Sequence, residues 1–93
     1  MSKLNPLLHQ ELRLSIVSFL AGVETADFKK LMEVTQATKG NLSVQISKLQ
    51  KAEYITIAKS FKGSYPHTNC ALTPKGEKDF EIYLKELKEL LNI

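Results

Sequence analysis

The chain has 93 residues, 43% hydrophobic and 25% charged, a size and balance that suit one domain spanning 1–93 with a core of its own. Its single cysteine, Cys70, excludes an intramolecular disulfide and leaves too few thiols for a cysteine-based zinc site. Net charge is +3, but the excess is local: 38–67 holds five lysines against one acid, and the rest has eight Lys/Arg against nine Asp/Glu. A basic middle third attracts polyanions, nucleic acid first among them. No apolar run approaches the roughly 20 residues of a membrane span. The start, MSKLNPLLHQELRL, carries Glu11 and Arg13 inside its apolar stretch, which makes it a poor leader; a cytoplasmic protein with no membrane partner is expected.

In chain order, Asn5-Pro6 opens a helical pattern. Leu8, Leu12, Ile16 and Leu20 recur every four residues, predicting helix 1 over 8–21, ended by Ala21-Gly22. Asp27 caps a second helix, 27–35, with Phe28, Leu31 and Met32 inward. After a short connection, Thr38 caps a third over 39–52, with Leu42, Ile46 and Leu49 as its core stripe. The period then changes to alternation, predicting a hairpin over 54–72. Its turn is Lys62–Pro66, its second strand starts near Thr68, and a short edge strand near Glu24–Ala26 is a further expectation. Thr73-Pro74 opens a last helix, 74–91, in which Phe80, Leu84, Leu87 and Leu91 follow the 4-3-4 spacing of helix pairing.

Enzyme constellations are missing from this pattern. His9 and His67 have no metal-ligand spacing, Lys62-Gly63-Ser64 matches no phosphate loop, and the acids are scattered on helix exteriors. No catalysis, metal or cofactor is expected.

A binding surface is more apparent. Two helices joined by a few residues fit a helix-turn-helix, whose second helix enters the major groove. With its core stripe inward, the third helix sends Gly40, Val44, Ser47 and Lys51 outward, and Thr38, Lys39, Asn41, Ser43, Gln45 and Lys48 lie on or near the flanks. Lysine suits guanine or phosphate, Asn and Gln suit adenine, and Val44 suits a thymine methyl. Its first turn holds no acid, and Lys39 opposes the helix dipole unless an anion arrives. The hairpin adds Lys59, Lys62, Gly63, Ser64, Tyr65 and His67 as a second arm for phosphate or the minor groove. A plain solvated helix face and a plain turn are the structural alternatives.

The stretches GNLSVQISKLQKAEYI, KSFKGSYPHT and LTPKGEKDFEIYLKEL resemble compact winged-helix regulators related to the MarR and PadR groups, from about Leu8 to Leu90. Glu53 stands where such proteins usually have Gly, and Gln45 where they often have His. The resemblance implies an α+β winged helix-turn-helix: three helices, a two- or three-stranded wing and a C-terminal helix. It also implies a homodimeric regulator binding double-stranded DNA, its outer helices pairing through Leu4, Leu7, Phe80, Tyr83, Leu84, Leu87, Leu90 and Leu91. A monomeric core is the alternative for those residues. A protein–protein adaptor is the alternative function, and an unidentified small-molecule effector or a redox role for Cys70 would be additions.

Overall fold

The computed structural model describes residues 4–93; residues 1–3 of the expected domain lie outside the described residues. The order is α1 (Glu11–Leu20), β1 (Ala26–Asp27), α2 (Phe28–Thr35), α3 (Lys39–Lys51), β2 (Ile55–Lys62), β3 (Tyr65–Leu72) and α4 (Pro74–Leu91). The strands form one antiparallel sheet in the order β1-β3-β2. Among the described residues no helix is long and apolar enough to cross a membrane.

Side-chain oxygens start every helix. Gln10 accepts from the Arg13 amide (2.8 Å), Asp27 from Lys30 (2.7 Å), Thr38 from Asn41 (3.2 Å) and Thr73 from Gly76 (2.9 Å). Each satisfies an amide that the helix itself leaves unpaired. Helix 1 starts later than its apolar spacing suggests. Asn5 Oδ1 accepts from the Leu7 amide (2.9 Å) and more weakly from Leu8 (3.4 Å), closing a separate turn. Gln10 is extended (φ −150°, ψ 130°), so α1 restarts at Glu11. Both side chains compete locally for backbone amides, and that competition breaks the segment.

The core is built around α1. Leu8, Leu12, Ile16, Val17 and Leu20 bury against Leu31, Leu42, Ile46, Leu49, Ile55, Cys70, Phe80 and Tyr83. A fully buried leucine or isoleucine here contributes about 1.5–3 kcal/mol. Cys70 is wholly buried, and burial pushes its thiol pKa up, so it packs as a small apolar residue. That environment removes the basis for a redox role.

The corner between α3 and β2 carries unusual backbone. Glu53 sits at φ 64°, in the left-handed region. The Glu53 amide donates to the Gln50 carbonyl (2.9 Å) and Tyr54 to Leu49 (3.0 Å), the two bonds of a Schellman cap. The position therefore has the geometry that a glycine adopts freely, and glutamate holds it. The next carbonyl, that of Tyr54, accepts from the Thr73 amide at 2.9 Å. A Cβ on Gly76 would lie 2.3 Å from that oxygen, so only glycine lets α4 start this close to the strand. The Tyr54 hydroxyl donates to Asp79 (2.7 Å) and accepts from Asn5 (2.7 Å), fastening the N-terminal turn to α4. Burial foremost, then Asp79, raises the Tyr54 pKa.

The hairpin turn is tighter than its turn-prone residues suggest. Lys62 pairs with Tyr65, leaving only Gly63 and Ser64 in the loop. Positive φ falls on Gly63 alone (69°), the pattern of a type II′ turn. β3 consequently begins at Tyr65. Pro66 opposes Phe61, beyond the reach of β1, where its missing N–H leaves no ladder bond unmade. The edge strand forms at Ala26–Asp27, opposite Cys70 and Asn69, slightly later than 24–26.

Candidate nucleic-acid interface

Leu42, Ile46 and Leu49 anchor α3 from beneath. Thr38, Lys39, Gly40, Asn41, Ser43, Val44, Ser47 and Lys48 are exposed on it. A Cβ on Gly40 would meet nothing within 4 Å, so the first turn is open to an approaching phosphate. No acid lies in that turn, while Lys48 and Lys51 sit in the last turn, where the dipole favours them.

Gln45 departs from the expected set. It is 8% exposed and faces α1. Its Oε1 accepts from Arg13 Nη1 (2.5 Å), and its Nε2 donates to Asn41 Oδ1 (3.1 Å). Arg13 Nε in turn donates to the Leu7 carbonyl (2.6 Å). A lone arginine in an apolar helix was the available signal for this network, but its partner 32 residues away was not legible.

The wing stands beside α3. Lys59, Lys62, Gly63, Ser64 and Tyr65 are exposed, and so is Phe61, which the basic-hairpin pattern did not single out. His67 also departs from a pure wing-tip role: its Nε2 lies 3.2 Å from Asp27 Oδ2, tying the wing to the start of α2. The Asp27 pKa is lowered by the Lys30 amide and then by His67. Wing, α2 and the start of α3 enclose a cleft of about 820 Å³ lined by Lys29, Lys39, Ser43, Lys62 and Tyr65. Its carboxylate, Asp27, is occupied by the cap and by His67, so the lysines set the field. Lys29 of α2 joins the lysines of α3 and the wing around the cleft.

The expected pairing surface divides. Phe80 and Tyr83 are buried in the chain's own core, with the Tyr83 hydroxyl 2.8 Å from His9 Nδ1, and so are not free to meet a partner. Leu4, Leu7 and Leu87 pack partly against the same core. Leu84, Leu90 and Leu91 are exposed by 40%, 61% and 56%, enough to leave apolar surface uncovered. At about 100° per residue, Leu90 and Leu91 lie within a quarter turn of the core-facing Leu87. The apolar stripe of α4 thus runs on after the core beneath it has ended.

Residues 12–91 match the family described as winged helix DNA-binding domain. An uncharacterised protein of Methanocaldococcus jannaschii is 31% identical over 78 residues, covering 84% of this chain and 85% of the relative. The structure of a transcriptional regulator homologue from Pyrococcus horikoshii OT3 superposes with a TM-score of 0.86 at 27% identity, over 92% of this chain and 85% of that one. NadR in complex with 4-hydroxyphenylacetate gives 0.73 at 25% identity, over 94% of this chain and 64% of that one. The resemblance to winged-helix regulators therefore holds over nearly the whole fold, and DNA is the partner such a domain serves. The chain belongs to the winged helix DNA-binding domain family.

Proposed function

We propose that the chain is a dimeric transcriptional regulator that recognises a two-fold symmetric site in double-stranded DNA. The observation that carries this is the exposed, acid-free face of α3 beside a lysine-lined cleft and wing. Asn41, Ser43, Val44 and Lys48 meet base edges in the major groove, with Ser47 at the margin. Thr38, Lys39 and the open first turn at Gly40 hold phosphate. The wing residues Lys59, Lys62, Gly63, Ser64 and Tyr65 lie along the adjacent backbone or minor groove, and His67 positions them. Dimerisation uses the uncovered end of α4, Leu84, Leu90 and Leu91, with Leu4, Leu7 and Leu87 at its edge.

Binding of a labelled random duplex at increasing salt is the test. A protein making six or more phosphate contacts loses about a thousandfold in affinity between 50 and 200 mM salt. Binding that is equally weak at both concentrations contradicts the proposal. Neutralising Lys39 and Lys48 weakens DNA binding in this account. A protein–protein adaptor working through its outer helices keeps its partner when those lysines are neutralised.

A further inference from the structure

We propose that Asn41 is a specificity-determining residue presented to DNA as a hydrogen-bond donor, its amide oriented by Arg13 through the buried Gln45. The inference rests on the DNA-reading function above and names the chemistry of one contact within it.

Hydrogen-bond polarity carries the argument. A guanidinium has only donors. Arg13 Nη1 lies 2.5 Å from the Gln45 side chain, so the group facing it is the Gln45 oxygen. The other end of that amide, Nε2, then faces Asn41 at 3.1 Å. An NH₂ group can only donate, so Asn41 turns its Oδ1 inward to receive it. That leaves the Asn41 Nδ2 group as the donor end of the amide, unused by this network.

Each member is fixed from behind. The Leu7 carbonyl accepts from Arg13 Nε at 2.6 Å, which holds the guanidinium plane. Gln45 is buried, so water does not compete for its orientation. The Asn41 amide nitrogen donates to the Thr38 cap, which fixes the backbone from which the side chain springs. Asn41 itself is exposed in the first turn of α3, the part of a recognition helix that meets base edges.

A freely rotating asparagine presents oxygen and nitrogen together and pairs with adenine, which offers a donor and an acceptor. Asn41 instead presents N–H groups. Guanine, with the adjacent acceptors N7 and O6, is the base edge that satisfies them. The group that sets this polarity, Arg13, lies on another helix and acts through Gln45.

The test is selection of bound sequences from a random duplex library with the full chain, its Asn41→Ala variant and its Gln45→Glu variant. Glutamate keeps the shape of glutamine but has only acceptors. It still receives Arg13, and it draws Asn41 Nδ2 inward, which sends Oδ1 toward the DNA. The unaltered chain is expected to favour guanine by about fivefold or more at one position of each half-site. Asn41→Ala makes that position indifferent, and Gln45→Glu moves its preference to a base with an exocyclic amine, cytosine or adenine.

If Asn41→Ala leaves every position unchanged, the proposal is overturned. The same holds if the Asn41-dependent base in the unaltered chain is adenine or cytosine, or if guanine persists in a folded Gln45→Glu. Should Gln45→Glu lose its helical circular dichroism, the first two comparisons still decide, because Asn41 is exposed and its alanine variant keeps the core. A library from which the unaltered chain enriches nothing refutes the DNA-reading function and the relay with it. An enriched motif without an Asn41-dependent guanine refutes the relay alone.

Discussion

Replacing Glu53 by glycine should stabilise this protein. An L-residue in the left-handed region costs about 1–2 kcal/mol, and Glu53 sits there at φ 64°. Glycine removes that strain but gives the unfolded chain more freedom, an offset of about 0.5–1 kcal/mol. The Schellman bonds are backbone to backbone and survive the change, as does the bond from Thr73 Oγ1 to the residue 53 carbonyl at 2.7 Å. The side chain's ion pair with Lys75 is 3.9 Å long and exposed at both ends, and such pairs contribute little. The net gain is about 0.5–1 kcal/mol, and since 1 kcal/mol moves the midpoint of a domain this size by about 4–8 °C, Tm should rise by roughly 2–8 °C. Thermal unfolding by circular dichroism at matched protein concentration measures it, because the dimer proposed above would make Tm concentration-dependent. Glu53→Asn should fall between the two, since asparagine tolerates this region better than glutamate. A glycine variant less stable than the parent would refute the cap geometry, and with it the account of how α3 passes into β2.

Three other outcomes follow from named contacts. Gly76→Ala places a Cβ against the Tyr54 carbonyl and Leu72, and should destabilise the fold by at least about 1–3 kcal/mol in chemical denaturation. Asp27 has a folded pKa below its ordinary 3.8, so its contribution is present above that value and lost as pH falls through the folded pKa; Asp27→Asn should flatten this part of the acid unfolding curve. Leu90→Lys with Leu91→Lys alters residues that the core does not cover, so the chain should stay folded while sedimentation shows a monomer.

Much of the fold was legible because its signals are local. Thr38, Asp27 and Thr73 cap helices in the sequence, and they do so in space. Leu42, Ile46 and Leu49 define the inner face of α3 by spacing alone, and that choice exposes Lys39, Asn41, Ser43 and Lys48. What was not legible depends on distant partners. Gln45 stands at the margin of the buried arc, where helical period does not decide between core and solvent; Arg13 on α1 decides it. The same holds for Phe80 and Tyr83. A 4-3-4 stripe says that a helix face is apolar, not whether its own core or a second chain covers it. Here the first half of α4 lies on the chain's own core and the last turns extend past it. His67 looked like a wing-tip residue because Asp27, its partner, lies 40 residues earlier. The absence of acid from the first turn of α3 was visible throughout, and the cleft gives it a setting: Lys39 stands with Lys29 and Lys62 around a space open to an anion.

The most direct test of the central claim is the symmetry of what the protein selects from random duplex DNA. A dimer reading through α3 should enrich an inverted repeat whose half-sites are about one helical turn (~10 bp) apart, or a multiple of it. Its binding should weaken steeply as salt rises. Recovery of a single unrepeated half-site would contradict the dimer, and recovery of no motif would contradict sequence reading by α3.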